Sequence, residues 1–221
     1  MSTILEPATQ APPEWTLADL YERFGPMPIQ RIRMHPAPGT ATEDDVLAIN
    51  DHEDRLCELV DGILVEKTMG LYESGLAVRI VCLLMNYVQP LKLGQVFGAD
   101  GFMKLQPGLI RIPDASFVSQ ARMKAAKIRP WGKLEPLVPE LAVEVLSRGN
   151  TKREMDQKLI DYFQAGVQLV WYVDPRTQQV TVYRGVDQFE MLQPPAELRG
   201  DPVLPGLTIS LTELFAPPDD E

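Results

Sequence analysis

The sequence predicts a mixed α/β domain behind an N-terminal helical and extended segment. Three observations lead to it. From about residue 55 onward, short β-branched apolar runs alternate with stretches of helical apolar spacing. A strand, a helix and a strand follow one another from Leu141 to Val173, which reads as a βαβ unit. Asp61-Gly62 stands between two apolar runs, a strong signal for a two-residue hairpin turn.

The elements follow in chain order. Residues 1–13 are rich in Pro, Thr and Ala and are expected to form a disordered tail. Residues 14–54 form the extension. In it Thr16 caps a helix with apolar spacing up to Phe24, and Gly25-Pro26 stops it. Pro28 to Gly39 is an extended, proline-punctuated connector, and Thr42 to Asp45 opens a second short helix with acids suited to its N-terminus. The main domain spans 55–215. Leu56 to Val60 and Ile63 to Glu66 are the hairpin strands, and Tyr72 to Val88 is an apolar helix ended by Pro90. Val96 to Leu105 is strand-like and interrupted by glycines, and Pro107-Gly108 turns the chain into a strand carrying Asp114. A long loop follows, with Pro130, Trp131, Gly132, Pro136 and Pro139.

After the Glu144 strand comes a helix. Thr151 and Glu154 have capping-box spacing, Met155, Leu159, Tyr162 and Phe163 share a face, and Gly166 sits at the C-cap. Val167 to Val173 and Gln179 to Tyr183 are strands joined by Asp174-Pro175. Pro194 to Pro205 is loop, Leu211 to Phe215 a short terminal element, and residues 216–221 an acidic tail.

The 221 residues suit one α/β domain plus the extension, and the 45% apolar content suffices for a core. No unbroken apolar run of membrane-spanning length occurs, and the start of the chain does not read as a signal peptide. A cytoplasmic setting without membrane partners is expected. Cys57 and Cys82 read as reduced core thiols, and His35 and His52 as turn and surface residues. The net charge of −10 opposes easy nucleic-acid binding. Local basic groups remain: Arg122, Lys124, Lys127, Arg129 and Lys133, then Arg148, Lys152 and Arg153. They suit a phosphate-facing rim and equally a solvated loop.

Two apolar runs carry the chemistry. Arg111 to Val118 and Leu141 to Leu146 each read as a buried strand, and each holds a carboxylate, Asp114 or Glu144. A buried carboxylate is costly unless paired, neutralised or bound to a cation. Side chains alternate along a strand, so if the two strands pair, both acids can converge on a hard divalent metal. Lys158 lies at the border of the apolar helix face and can aim its ammonium at the strand ends, with Lys152 as runner-up. Glu73, at the start of the Tyr72 helix, or Glu58, in the hairpin, would be a fourth group. Turn or cap use, a structural ion pair and a solvated lysine are the plainer accounts of these residues taken singly.

These residues resemble the Uma2 family of restriction-endonuclease-like proteins. The runs Arg111 to Val118, Leu141 to Ser147 and Asn150 to Met155 carry the resemblance, with Lys158, Tyr162, Ala165 to Val167 and Trp171 to Pro175. Glu58 to Gly62 and Val203 to Gly206 extend it over roughly residues 55–215. The resemblance implies the PD-(D/E)XK nuclease fold, a mixed central β-sheet flanked by helices, and Mg²⁺- or Mn²⁺-dependent phosphodiester cleavage of DNA. It makes Asp114 and Glu144 the metal-binding acids. Leu146 stands where the superfamily has its lysine, and Lys158 would replace it. Glu73 matches an acid often found on the first core helix. Such nucleases often act as homodimers. Two further readings stay open: a catalytically silent nucleic-acid-binding or interaction module on the same scaffold, and a hydrolase of another phosphate ester.

Overall fold

The join between two β-sheets is where the buried charges of this molecule collect. The computed structural model describes residues 15–53, 55–127 and 135–217. The expected tail at 1–13, most of the acidic tail, and Arg129, Pro130, Trp131, Gly132 and Lys133 lie outside the described residues.

Among the described residues, the N-terminal segment holds two helices. α1 (Leu17–Phe24) is capped by a Thr16–Asp19 box, and α2 (Glu43–His52) by one from Thr42 and Asp45. Between them the connector makes a short 3-10 turn, Ile29–Arg31, and buries Arg31.

β1 (Cys57–Val60) and β2 (Ile63–Glu66) form the predicted hairpin, with Val60 opposite Ile63. Asp61 and Gly62 both take positive φ, 53° and 71°, as a two-residue hairpin loop of this hand requires. With β4 (Met103–Gln106) and β5 (Leu109–Arg111) these strands make a sheet of order β2-β1-β5-β4. The larger sheet comprises β3 (Gly94–Phe97), β6 (Ala115–Ser119), β7 (Leu141–Val145), β8 (Leu169–Asp174), β9 (Gln179–Gly185) and β10 (Gln188–Leu192). Its order is β10-β9-β8-β7-β6-β3. β7 and β8 pair in parallel, and α5 (Lys152–Ala165) crosses between them, which is the expected βαβ unit. The other neighbours in this sheet are antiparallel, so the sheet is mixed.

Helices cover both faces of the large sheet. Leu76, Ile80, Leu84 and Val88 of α3 (Leu71–Leu91) pack with Phe117, Val143, Val145 and Trp171. Met155, Leu159 and Tyr162 of α5 pack on the other face with Val118, Ala142 and Val170. By length and composition α3 is apolar enough to cross a membrane. Here its inner face is sheet core.

Several expectations are corrected. Arg111 to Val118 is not one strand: β5 ends at Arg111, β6 begins at Ala115, and Ile112 to Asp114 carries the chain from one sheet to the other. Pro113, which has no N–H for a ladder, occupies that crossing. The glycine-interrupted run Val96 to Leu105 likewise divides into β3 and β4, in different sheets. α3 runs through Pro90 to Leu91 and leaves through Lys92 at φ 52°. A proline in the last turn disturbs little helix beyond it. β10 forms where no strand was expected. The expected loop after Pro194 contains β11 (Glu197–Arg199), which pairs with β12 (Thr208–Ser210) ahead of α6 (Leu211–Leu214). Cys57 is buried, but Cys82 lies on the exposed side of α3 rather than in the core.

Candidate active site

Asp114 stands one residue before the Ala115↔Val143 pair of β6 and β7, so it meets the segment that carries Glu144. Its backbone N–H donates to the Val143 carbonyl at 2.9 Å, and its Oδ2 accepts from the Val145 N–H at 2.6 Å. Glu144 points toward α5. Its carboxylate accepts from the Tyr162 phenol at 2.5 Å and from Lys158 Nζ at 3.3 Å. Asp114 therefore sits beside the segment that carries Glu144, and its charge is felt at Glu144. Asp114 is 3% exposed and Glu144 4%.

Lys158 reaches the strand ends as its helix position predicts. Its ammonium lies between Glu58 Oε1, at 2.9 Å, and Glu144. Glu58 in turn accepts from Arg111 Nη1 at 2.7 Å and from the Ile112 N–H at 3.0 Å. The Arg111 guanidinium also bonds Asp161, one turn beyond Lys158 on α5. Lys67, just after β2, stands 2.8 Å from Asp114 Oδ1. Four carboxylates (Glu58, Asp114, Glu144, Asp161) thus face three cations (Lys67, Arg111, Lys158).

One negative charge is left over, and it is felt at Glu144. Burial, with Asp114 and Glu58 adding to it, pushes this carboxyl up to about 7 against the pull of Lys158 and Lys67. Burial acts on Glu58 in the same sense, but Lys158, Arg111 and the Ile112 N–H outweigh it and hold Glu58 at about 2. Burial lowers Lys158, yet Glu144 and Glu58 raise it further, so it stays charged. Tyr162 is raised well above a free phenol by burial and by Glu144, and remains a donor.

The donor set suits a hard divalent ion. Asp114 Oδ1 and Ser116 Oγ are buried without an aligned hydrogen bond, and burial with the neighbouring acids raises Glu144. Among the described residues no three His, Cys, Asp or Glu side chains are placed to hold a metal. The set is two carboxylates, the number Mg²⁺ takes when it keeps waters and meets a substrate phosphate.

The structure does not bring every expected residue to this cluster. Glu73 begins α3, the helix on the opposite face of the sheet. Its charge is felt by Arg176, after that guanidinium's stronger bond to Asp174. Glu58 takes the fourth place instead. Lys152 is exposed and pairs with Asp156. Leu146 is half-buried against the α5 core. Arg122 does not face solvent phosphate: it bonds Glu140 and the carbonyls of Val138, Pro139 and Gly166. Arg148, Lys152 and Arg153 line a cleft of about 880 Å³ between the end of α1 and the start of α5.

Sequence reasoning missed Arg111, Asp161 and Lys67. Arg111 was in view, a charge in the same apolar run as Asp114. Asp161 lies three residues after Lys158, the helical spacing that stacks side chains on one face. Nothing local marks Lys67.

The Uma2 family model, described as "Putative restriction endonuclease", matches residues 43–212. Among solved structures, a chain described as a putative nuclease belonging to DUF820, from Anabaena variabilis, superposes with a TM-score of 0.62 at 20% identity. The match covers 79% of this chain and 97% of that one. At that identity the likeness shows the shared fold. A search of curated proteins found no match.

Proposed function

The chain belongs to the Uma2 family, and from that premise we propose that it is a nuclease hydrolysing DNA phosphodiester bonds with Mg²⁺ or Mn²⁺ held by Asp114 and Glu144. The observation that carries this reading is the pair itself. Two buried acids meet at a sheet junction, one with an oxygen lacking an aligned donor and the other bearing surplus charge.

In the hydrolysis, a water oxygen forms a new bond to phosphorus while the ester P–O bond breaks. The products are a phosphate monoester and a hydroxyl, and the proton lost by water balances the one gained by the leaving oxygen. A bound divalent ion would polarise the phosphate and lower the pKa of water. The chain's own residues preorganise the site. The Val145 N–H fixes Asp114, and Tyr162 and Lys158 orient Glu144 and favour its ionised form. Glu58 and Arg111 hold Lys158 in place, so this lysine acts as an internal counter-ion to the metal-binding acid.

The test is cleavage of plasmid DNA with Mg²⁺ or Mn²⁺ by the wild-type chain, Asp114→Ala and Glu144→Ala. Both variants should lose activity by at least about a hundredfold. Cleavage that persists in both would remove these residues from the site. One observation favours the silent scaffold: both acids already face ammonium groups, and Leu146 is apolar. That reading expects no heat of Mn²⁺ binding in a calorimetric titration, whereas the nuclease reading expects binding that Asp114→Ala abolishes.

A further inference from the structure

Asp114, Glu144, Glu58 and Lys158 are each less than 5% exposed, so substrate phosphate must reach the acids past some other group. Lys67 stands in that position. It follows β2, and its ammonium donates to the carbonyls of Ile112, at 2.7 Å, and Ala99, at 3.1 Å. The same nitrogen is 2.8 Å from Asp114 Oδ1, yet that oxygen has no aligned hydrogen bond. The ammonium thus has two carbonyl acceptors and an ion pair with Asp114.

The Lys67 side chain is 9% exposed. Lys67 lines a cleft of about 490 Å³ with Arg55, Leu56, Met69, Ala99 and two acids, Glu53 and Glu66. Arg55 and Lys67 are the cations of that lining, and Lys67 is the one in contact with Asp114. Lys158 does not line this cleft, and both of its carboxylate partners enclose it. The family's usual lysine position holds Leu146.

We infer that Lys67 is a catalytic residue of this chain, the ammonium that contacts the scissile phosphate at the mouth of the cleft. The inference rests on the nuclease reading above. Lys67 stabilises the negative charge that gathers on the non-bridging phosphate oxygens as water adds. It is not consumed, and it gives up no proton in the balanced hydrolysis. Its anchors on Ile112 and Ala99 hold it in place before substrate arrives, which is the preorganisation such charge stabilisation needs.

The experiment measures cleavage of a labelled DNA duplex against Mn²⁺ and duplex concentration, with melting temperatures to confirm folding. It compares the wild type with Lys67→Met and Lys67→Gln. The glutamine amide can still donate to the Ala99 and Ile112 carbonyls, so that variant keeps the test alive if Lys67→Met fails to fold. The expected result is a fall in kcat of about a hundredfold, with KM for the duplex changed less than about threefold and Mn²⁺ half-saturation no higher. Wild-type kcat in the glutamine variant overturns the role of Lys67 and leaves the nuclease reading standing. A lost rate accompanied by a raised Mn²⁺ half-saturation overturns it too, because Lys67 would then only position Asp114. A wild-type chain that cleaves no duplex at any Mn²⁺ concentration overturns both.

Discussion

The phenol of Tyr162 donates to Glu144 Oε1 at 2.5 Å, from a side chain that is fully buried. Tyr162 lies one helical turn after Lys158, so a single face of α5 supplies both groups that hold this carboxylate. Removing the hydroxyl leaves a buried carboxylate oxygen short of a donor. Tyr162→Phe is expected to lower stability by about 1–3 kcal/mol, since a hydrogen bond to a charged group is lost in the interior. Urea denaturation at neutral pH measures it. A variant as stable as the wild type would mean that the bond contributes nothing.

Glu58 and Glu144 should give opposite pH dependences of stability. Glu58 is held at about 2, below its ordinary value of 4.5, because Lys158 and Arg111 outweigh the effect of burial. Its contribution is present above 4.5 and is lost as the pH falls toward 2. Glu144 is pushed by burial, Asp114 and Glu58 to about 7. Its contribution is complete below 4.5 and is lost as the pH rises through 7. In EDTA, Glu144→Gln should therefore flatten the decline between about pH 5 and pH 8, while Glu58→Gln should flatten the acid side. Urea unfolding from about pH 2 to about pH 8 checks both. Parallel curves for wild type and Glu144→Gln would contradict the raised value.

Arg31 ties the extension to α5. Its guanidinium makes a two-point pair with Glu154, at 2.7 and 3.0 Å, and also bonds the carbonyls of Gly149 and Glu66. Both partners are buried. Arg31→Ala would strand Glu154 without its counter-ion, at a cost of about 3–5 kcal/mol. Arg31 lies before the family-matched residues 43–212, so the extension is part of the folded unit despite that boundary. Thermal or urea unfolding of Arg31→Ala tests this, and a loss below about 1 kcal/mol would show that the pair is dispensable.

Gly62 and Gly108 separate backbone strain from steric collision. Both have positive φ, 71° and 74°. A Cβ on Gly62 would lie 2.6 Å from the Gly39 backbone, whereas one on Gly108 meets nothing within 4 Å. Gly108→Ala should cost about 1–2 kcal/mol from backbone strain alone. Gly62→Ala should cost more and should loosen the contact between hairpin and connector. Equal urea midpoints for the two variants would remove the collision from the account.

Much of the local structure was readable from neighbouring residues. Asp61-Gly62 made the hairpin, Thr151 and Glu154 capped α5, and Gly166 ended it at φ 99°. Each is a contact within a few residues, so a short stretch of sequence contains all of its cause. Asp114 stands beside the Glu144 segment, but in the crossing between the sheets and not in a strand. Misreadings arose where the chain changes sheets. Nothing local shows that β5 and β6 belong to different sheets, because a proline in a strand run marks an irregularity without its direction.

Periodicity and turn chemistry act over short spans, so the mixed α/β class, the βαβ unit and the hairpin were legible in the residues alone. Which cations meet Asp114 and Glu144 depends on contacts across the whole fold. Arg111 finds Glu58 and Asp161 across 53 and 50 residues, and Lys67 bonds the Ile112 carbonyl across 45. Such partners are chosen by where two sheets and a crossover helix bring charges out of water. The cost of burying a charge alone then forces each to settle against an opposite one.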